Sequence, residues 1–349
     1  MKPHVSVKAA LMALALVLAF FISWELYLRN KGVVADYDDG PELWAHTRSM
    51  VYEPANKATV FIGSSRIKYD LDIPTWEAIT HTHAIQLSMV GSSPRHFLTD
   101  LAEDTSFKGK LVVDVTEGLF FNKADAKPDA GIAYYKKRTP AQKVSFWLDK
   151  PVESQLAFLN EGSYSLNALL DQIHLKNREG ARPPLDFPPG FHRTLFSRQN
   201  KMTPDFVADT NQQNQVKAIW ASLGKNPMPP LSEKALDSVM QSVKRDVDKI
   251  NARGGVVIFV RTPSSGRFFM AEKKNYPRNV YWDRLLTLTR CSGIYFGDYP
   301  VLAKLVCPEF SHLNPQDAVT YTTKLVSILQ KEKGWNFNTA GNSLVFNSK

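Results

Sequence analysis

The sequence predicts a three-layer α/β domain carried on one apolar N-terminal helix. Three observations give that prediction. Five short segments, 58–62, 84–89, 111–115, 256–260 and 294–296, are almost continuously apolar and rich in β-branched residues, as strands buried on both faces of a parallel sheet are. Amphipathic patterns lie between or after them, at 94–103, 232–251, 281–289 and 315–331, and strands alternating with helices build α/β layers. The 349-residue chain is 44% apolar and 22% charged. That ordinary globular balance excludes a disordered tail, a collagen-like chain and a polytopic membrane protein.

The first element is the apolar run that starts at Ala9. No charge occurs up to Trp24; Glu25 interrupts, and Leu26 to Leu28 extend the run. This is near the lower length limit for crossing a bilayer as a helix. Lys2 and Lys8 precede it, which leaves the N-terminus in the cytoplasm by the positive-inside tendency, although Arg29 and Lys31 weaken the asymmetry. Trp24 and Tyr27 suit the far interface. The run ends in FFISWELY, without the small residues a cleaved signal peptide shows. The expectation is therefore a cytoplasmic tail over 1–8, a single-pass signal anchor over 9–28, a linker and cap over 29–56, and a domain over 57–349 outside the cytoplasm, periplasmic or extracellular. A cleaved signal peptide is the weaker alternative. Asp36, Asp38 and Asp39 read as linker.

In the domain, 232–251 is the best-defined helix. Leu236, Val239, Met240, Val243, Val247 and Ile250 share one stripe, and Ser232 is placed to cap its start. Between 123 and 231 the alternation breaks into a proline-dense, aromatic stretch with helical pieces such as 151–173. It reads as an insertion on the α/β core, where substrate contacts tend to sit. Arg182, His192, Arg193 and Arg198 make it basic, as a solvated surface or a ligand face would be.

Four segments carry groups suited to chemistry. In VFIGSSRIKYDLD, residues 60–72, a buried strand ends at Gly63 and two serines and Arg66 follow. Ligands gather beyond the carboxyl ends of parallel strands, although a serine at such a turn is more often a helix cap. In PEFSHLNPQDA, residues 308–318, His312 follows Glu309 by three residues. Histidine suits proton abstraction from a hydroxyl near neutral pH, and a carboxylate beside it would hold the ring. In LSMVGSSPRHF, residues 87–97, Gly91 would offer an unhindered backbone N–H. The segment 259–285 begins at a strand end on the same sheet edge and brings Arg261, Ser264, Ser265, Arg267, Glu272 and Arg278. Those groups would contact an anionic or hydroxyl-rich ligand, or pair among themselves.

Together, a strand ending in GSSR, a glycine turn after the second strand and E-x-x-H-L-N before a terminal helix resemble the SGNH (GDSL-like) hydrolase superfamily. The resemblance covers 58 to the last helix and leaves 123–231 unmatched. It implies a flavodoxin-like parallel sheet, Ser65 as nucleophile, His312 as general base, Glu309 in place of the family's usual Asp, and an oxyanion hole formed by the Ser65 and Gly91 backbone. Ser64 stands where many members have Asp. Thr116, Glu117 and Gly118 stand where the family supplies an Asn donor, with Asn122 too far along. The anchor and GSSR are similar to membrane-anchored SGNH proteins of envelope-polymer acylation, such as alginate O-acetylation and teichoic acid D-alanylation proteins. That likeness implies a serine O-acyltransferase or esterase on acyl esters of a cell-envelope glycan, with acetyl the expected group. It also implies a membrane-bound O-acyltransferase as partner. Arg66, Arg261, Ser264, Glu272 and Arg278 are the expected substrate contacts. A plain carboxylesterase, a non-catalytic polymer-binding or scaffold protein, and a structural envelope protein are the alternatives.

The remaining signals are weaker. The net charge of +9 fits nucleic acid, an anionic membrane surface or an anionic polymer equally. No nucleic-acid, P-loop or dinucleotide motif occurs, so neither nucleic acid nor a cofactor is expected. His81 and His83 form H-x-H, which needs further ligands to hold a metal, and none is expected. Cys291 and Cys307 would either pair or stand as two buried thiols.

Overall fold

The computed structural model describes residues 7–33, 36–122, 129–153, 155–160, 170, 173, 185–188, 190–223 and 230–337. In chain order the first helices are α1 (Val7–Asn30), α2 (Pro41–Arg48), α3 (Ser65–Asp70), α4 (Ile73–Thr80), α5 (Arg95–Glu103), α6 (Glu117–Phe120), α7 (Ala130–Lys137) and α8 (Pro140–Glu153). They continue as α9 (Pro204–Ala208), α10 (Thr210–Leu223), α11 (Glu233–Ala252), α12 (Gly266–Asn275), α13 (Trp282–Thr289), α14 (Pro300–Ala303) and α15 (Pro315–Lys331). The strands are β1 (Ala58–Ile62), β2 (His83–Gln86), β3 (Lys110–Asp114), β4 (Arg193–Thr194), β5 (Asn200–Lys201), β6 (Val256–Arg261) and β7 (Ser292–Tyr295). The chain divides into two compact units, 1–38 with 138–183, and 39–137 with 184–349.

In the first unit, α1 is 24 residues of high hydropathy, with an apolar window in which no residue is buried. It is long and apolar enough to span a membrane. Glu25, the charge that interrupts the apolar run, is buried and accepts from the Ala157 and Phe158 backbone N–H groups at 3.0 and 3.2 Å. Arg29 bonds Glu25 at 2.6 Å and donates to the Gln155 carbonyl at 2.6 Å. Phe21 stacks on Phe158 with centroids 5.3 Å apart. The helical piece expected over 151–173 is described only in part: α8 ends at Glu153, a 3₁₀ turn covers Ala157–Leu159, and 161–169 and 171–172 lie outside the described residues.

The second unit is built on a five-stranded, wholly parallel sheet of order β2-β1-β3-β6-β7. Successive side chains leave a strand on opposite faces, and both faces here are covered. Val60, Ile62, Leu111, Val113, Val257 and Phe259 pack with α5, α11 and α13, while Phe61, Val112, Ile258 and Val260 pack with α3, α4 and α15. That is why the strands lack polar alternation in the sequence. The stripe on α11 is buried as expected, with Val239 partly so, and Ser232 caps the helix through the Ala235 N–H at 3.4 Å. β2 ends three residues before the apolar run does, but the Leu87 and Met89 N–H groups still reach the Phe61 and Gly63 carbonyls.

Two segments differ from their sequence reading. Residues 41–52, expected as linker and cap, are helical, with Leu43, Trp44 and Ala45 fully buried and the Trp44 indole bonded to the Leu87 carbonyl at 3.0 Å. Arg198, expected in a solvated basic stretch, is completely buried at φ +64°. It bonds Asp39 at 2.6 Å and the Gln86 and Ser88 carbonyls at 2.6 and 3.1 Å. Asp39, read as linker, also takes Lys68, so these groups brace the β2 end. Arg182 lies outside the described residues.

Candidate functional site

The chain leaves β1 for β2 on one side of the sheet while β3 pairs on the other, so the carboxyl ends of β1 and β3 flank a topological switch point. Gly63 makes the turn there. A Cβ on it would sit 2.5 Å from Ile67 Cγ2 and 2.7 Å from Asp114 Cβ, so the close approach of β3 requires glycine. Ser64 follows as the N-cap of α3 and is fully buried. Its Oγ accepts from the Arg66 N–H at 3.4 Å and lies 2.7 Å from Thr116 Oγ1. Thr116 in turn donates to Asp114 at 3.1 Å. A hydroxyl has one proton, so Ser64 is the donor to Thr116. Both lone-pair and proton functions of Ser64 are thereby used.

Ser65 is different. It opens α3, and its Oγ lies 2.8 Å from His312 Nε2. Its own N–H falls in the first turn, where the helix provides no acceptor. His312 sits in the loop before α15, and its Nδ1 is 3.0 Å from Glu309 Oε1. The same carboxylate oxygen accepts the His312 and Ser311 backbone N–H groups at 2.6 and 3.2 Å, and Trp220 of α10 donates its indole N–H to Oε2. Burial raises the Glu309 pKa, but the His312 charge and hydrogen bond and the Trp220 and backbone donors outweigh it and hold the carboxyl below its ordinary range. An ionised Glu309 only accepts, so Nδ1–H donates to it and Nε2 is the ring nitrogen that faces the Ser65 hydroxyl.

The loop is held tightly. Phe310, between Glu309 and Ser311, has φ +81°, a left-handed conformation costly for an aromatic residue. Its N–H bonds the Cys307 carbonyl at 3.0 Å and its carbonyl takes the Ser265 N–H at 2.9 Å. Asp70 at the end of α3 accepts the Leu313 N–H at 2.9 Å, and Asn314 caps α15 through Gln316 and Asp317 at 3.0 Å. The His312 ring packs on Tyr69, Phe191 and Trp220, with centroids 4.5, 5.8 and 6.1 Å away.

The five expected substrate contacts separate. Arg66 and Glu272 line the cavity beside Ser65. Arg66 bonds Glu272, stands 3.4 Å from Ser311 Oγ and lies over the Phe268 ring at 5.2 Å. Arg261 and Ser264 are buried beneath them, and neither lines the cavity. Arg261 bonds Glu272, Glu117 at 3.0 Å and Ser264 at 2.9 Å, and Ser264 donates to Glu272 at 2.7 Å. Burial raises the Glu272 pKa, and the two guanidiniums outweigh it and keep it low. Glu117 stays raised by burial and by the neighbouring Glu272 charge, which Arg261 and Arg66 offset only in part. Arg278 does not line the cavity and is held at the surface by Asp283 at 3.1 Å and Asp298 at 2.5 Å. Acidic partners on neighbouring turns captured it, a pairing no motif announced.

Gly91, at φ +67°, lines the same cavity with open space where a Cβ would be. Asn122 is held elsewhere by Arg95, whose guanidinium meets its carbonyl at 2.6 Å and its Oδ1 at 3.2 Å. Thr116 lines the cavity, but its proton is committed to Asp114. Sequence reasoning missed Trp220 altogether; its only signal was an aromatic residue within the basic insertion.

The cavity has a volume of about 560 Å³, and its walls are mostly apolar. A second depression of about 430 Å³ lies between α11 and α13, with Asp237, Arg284 and Thr287 on its walls and no histidine. Among the described residues no group of three His, Cys, Asp or Glu is arranged to hold a metal. His83 lies 2.7 Å from Glu53, and Cys291 and Cys307 are separate thiols. No family model matches the chain, and no curated protein is similar to it in sequence. The arrangement at Ser65 can activate a hydroxyl by passing its proton to an imidazole that a buried carboxylate orients.

Proposed function

We propose that the protein is a serine O-acyl hydrolase or O-acyltransferase of SGNH type. The observation that carries this is the relay from Ser65 Oγ through His312 to Glu309 at the carboxyl end of β1. Ser65 Oγ would bond to an ester carbonyl carbon while its proton passes to His312 Nε2. The Ser65 and Gly91 N–H groups would hold the oxyanion. The carbonyl carbon's bond to the alkoxy oxygen then breaks, and His312 returns the proton to the leaving alcohol. Water or a sugar hydroxyl attacks the acyl-Ser65 ester, gives its proton to His312, and releases Ser65. Water makes the reaction hydrolysis; a sugar hydroxyl makes it transfer.

The envelope glycan acceptor and the membrane-bound acyltransferase partner are what the SGNH likeness implies. An uncleaved anchor is supported by Glu25 and Arg29, which hold residues 155–158. A second reading, a non-catalytic SGNH-like scaffold, is favoured by Thr116 in place of the third oxyanion donor.

The test is a fluorophosphonate probe on the full chain in lipid nanodiscs. Labelling at Ser65, lost in Ser65→Ala, is expected. Labelling at Ser64 instead, or no labelling with Ser65→Ala fully active in cells, overturns the catalytic reading. Mass spectrometry of an activated ester incubated with oligosaccharide separates transfer from hydrolysis.

A further inference from the structure

We infer that the cavity at Ser65 takes a medium-chain apolar acyl group, of about six to ten carbons, in preference to acetyl. This rests on Ser65 being the nucleophile and names what it acts on. The volume is about 560 Å³. At roughly 30 Å³ per heavy atom, the share of a water in the liquid, that is room for about 18 atoms. The three of an acetyl group would leave most of the space to water against hydrocarbon.

The walls say what the space is for. Val90, Leu185, Phe187, Trp220, Leu223 and Phe268 face it, and three of them are large apolar side chains left substantially exposed: Val90 at 59%, Leu185 at 48% and Leu223 at 49%. Exposed apolar side chains gathered at one concave site mark ligand binding. One side of α12 contributes 268, 271, 272 and 275, spaced i, i+3, i+4 and i+7, so a helix face is turned toward the cavity, and Tyr276 follows at its C-cap. Ser64, Arg66, Thr116, Glu272 and Ser311 are polar groups lining the cavity with Ser65, and Asn275 and Tyr276 are the polar residues at the end of α12. A reacting carbonyl fits the Ser65 end and a hydrocarbon chain fits walls that are apolar over most of their area, whereas the several hydroxyls of a sugar ring would need more partners than Asn275 and Tyr276 supply.

The experiment uses the full chain in nanodiscs and p-nitrophenyl esters from acetate to decanoate. Each added methylene that enters the cavity is expected to raise kcat/KM about fourfold until the space is filled. Ala271→Trp and Leu223→Gln, both at exposed positions, are expected to lower the octanoate-to-acetate ratio of kcat/KM at least tenfold. Calorimetric binding of butyrate, hexanoate and octanoate to Ser65→Ala, with the Ala271→Trp double variant correcting for lipid partition, reads the cavity without turnover. Affinity rising with chain length in Ser65→Ala alone supports the inference even if no ester is cleaved, a result that would count against the catalytic reading only. Acetate as the best ester, or alkanoate binding independent of length or of Ala271→Trp, overturns the inference even where fluorophosphonate labels Ser65.

An independent observation concerns α8. Val144, Trp147, Leu148 and Val152 are exposed at 59, 66, 67 and 48%, and their spacing puts them on one stripe of the helix. Phe146 and Lys150, on the opposite side, are buried. The helix thus turns its apolar face outward. It belongs to the same compact unit as α1, no residue of whose apolar window is buried. The geometry points to a lipid bilayer as the occupant, with α8 lying in the membrane interface. Spin labels at 144, 148, 142 and 149 in a Cys291→Ser background, in nanodiscs, test it. Greater oxygen than nickel-chelate accessibility at 144 and 148, reversed at 142 and 149, is expected. High nickel accessibility at all four sites, or exclusion of both reagents at 144 and 148 as a protein partner would produce, overturns it.

Discussion

Trp220 donates its indole N–H to Glu309 Oε2, the carboxylate oxygen that His312 does not use. A residue of the insertion thus completes the hydrogen bonding of the buried acid. Trp220→Phe keeps an aromatic wall but leaves that oxygen unpaired, at a cost of about 1.5–3 kcal/mol for a bond to a charged group. The expected result is a roughly tenfold or greater fall in kcat with KM changed less than threefold, read from steady-state ester hydrolysis.

Ser64 and Ser65 should behave oppositely. Ser64→Ala removes the cap of α3 and the donor to Thr116. It should lower stability by about 1 kcal/mol, seen as a drop of a few degrees in a thermal melt, and leave fluorophosphonate labelling intact.

Thr116→Val tests whether a third side-chain donor exists. Its hydroxyl is tied to Asp114, so kcat should fall less than tenfold. A loss of about 10²–10³, the scale of a true oxyanion donor, would place Thr116 in the hole.

Glu309→Gln should lower kcat by up to about 10⁴-fold, the scale seen when the orienting carboxylate of another serine hydrolase is neutralised. It also carries a pH signature. The folded pKa of Glu309 lies below its unfolded value, so its contribution is present above the unfolded pKa and is lost as pH falls through the folded one. The native protein should therefore lose melting temperature more steeply than the variant on acidification below about pH 4.5. Asp70 runs the other way. Burial, opposed in part by the Leu313 N–H, raises its pKa well above the ordinary value. Its contribution is present below the unfolded pKa and fades as pH rises, so Asp70→Asn should flatten the loss of stability toward neutral pH.

Gly63→Ala places a methyl group against Ile67 and Asp114 at 2.5 and 2.7 Å. Overpacking of this kind costs about 1–3 kcal/mol, and a melt lowered by several degrees with reduced soluble yield is expected.

The sheet and its helices were legible in the amino-acid order because their causes are local. Strands between two layers need apolar residues on both faces, and α11 needs one apolar stripe, so 58–62 and 233–252 announce themselves. The turns that carry Ser65, His312 and Glu309 were legible because Gly63 and Asn314 mark them locally, whereas the roles of the three came from the resemblance to the SGNH hydrolases. What tertiary structure alone decided is that Ser64 is tied to Thr116 while Ser65 meets the imidazole, which insertion residue reaches Glu309, and why Arg198 is buried while Arg278 stays at the surface. Those outcomes depend on side chains meeting across separations such as the 247 residues between Ser65 and His312 or the 159 between Asp39 and Arg198. Periodicity and propensity act over a few residues and carry no information about which distant partner a charge or hydroxyl will find.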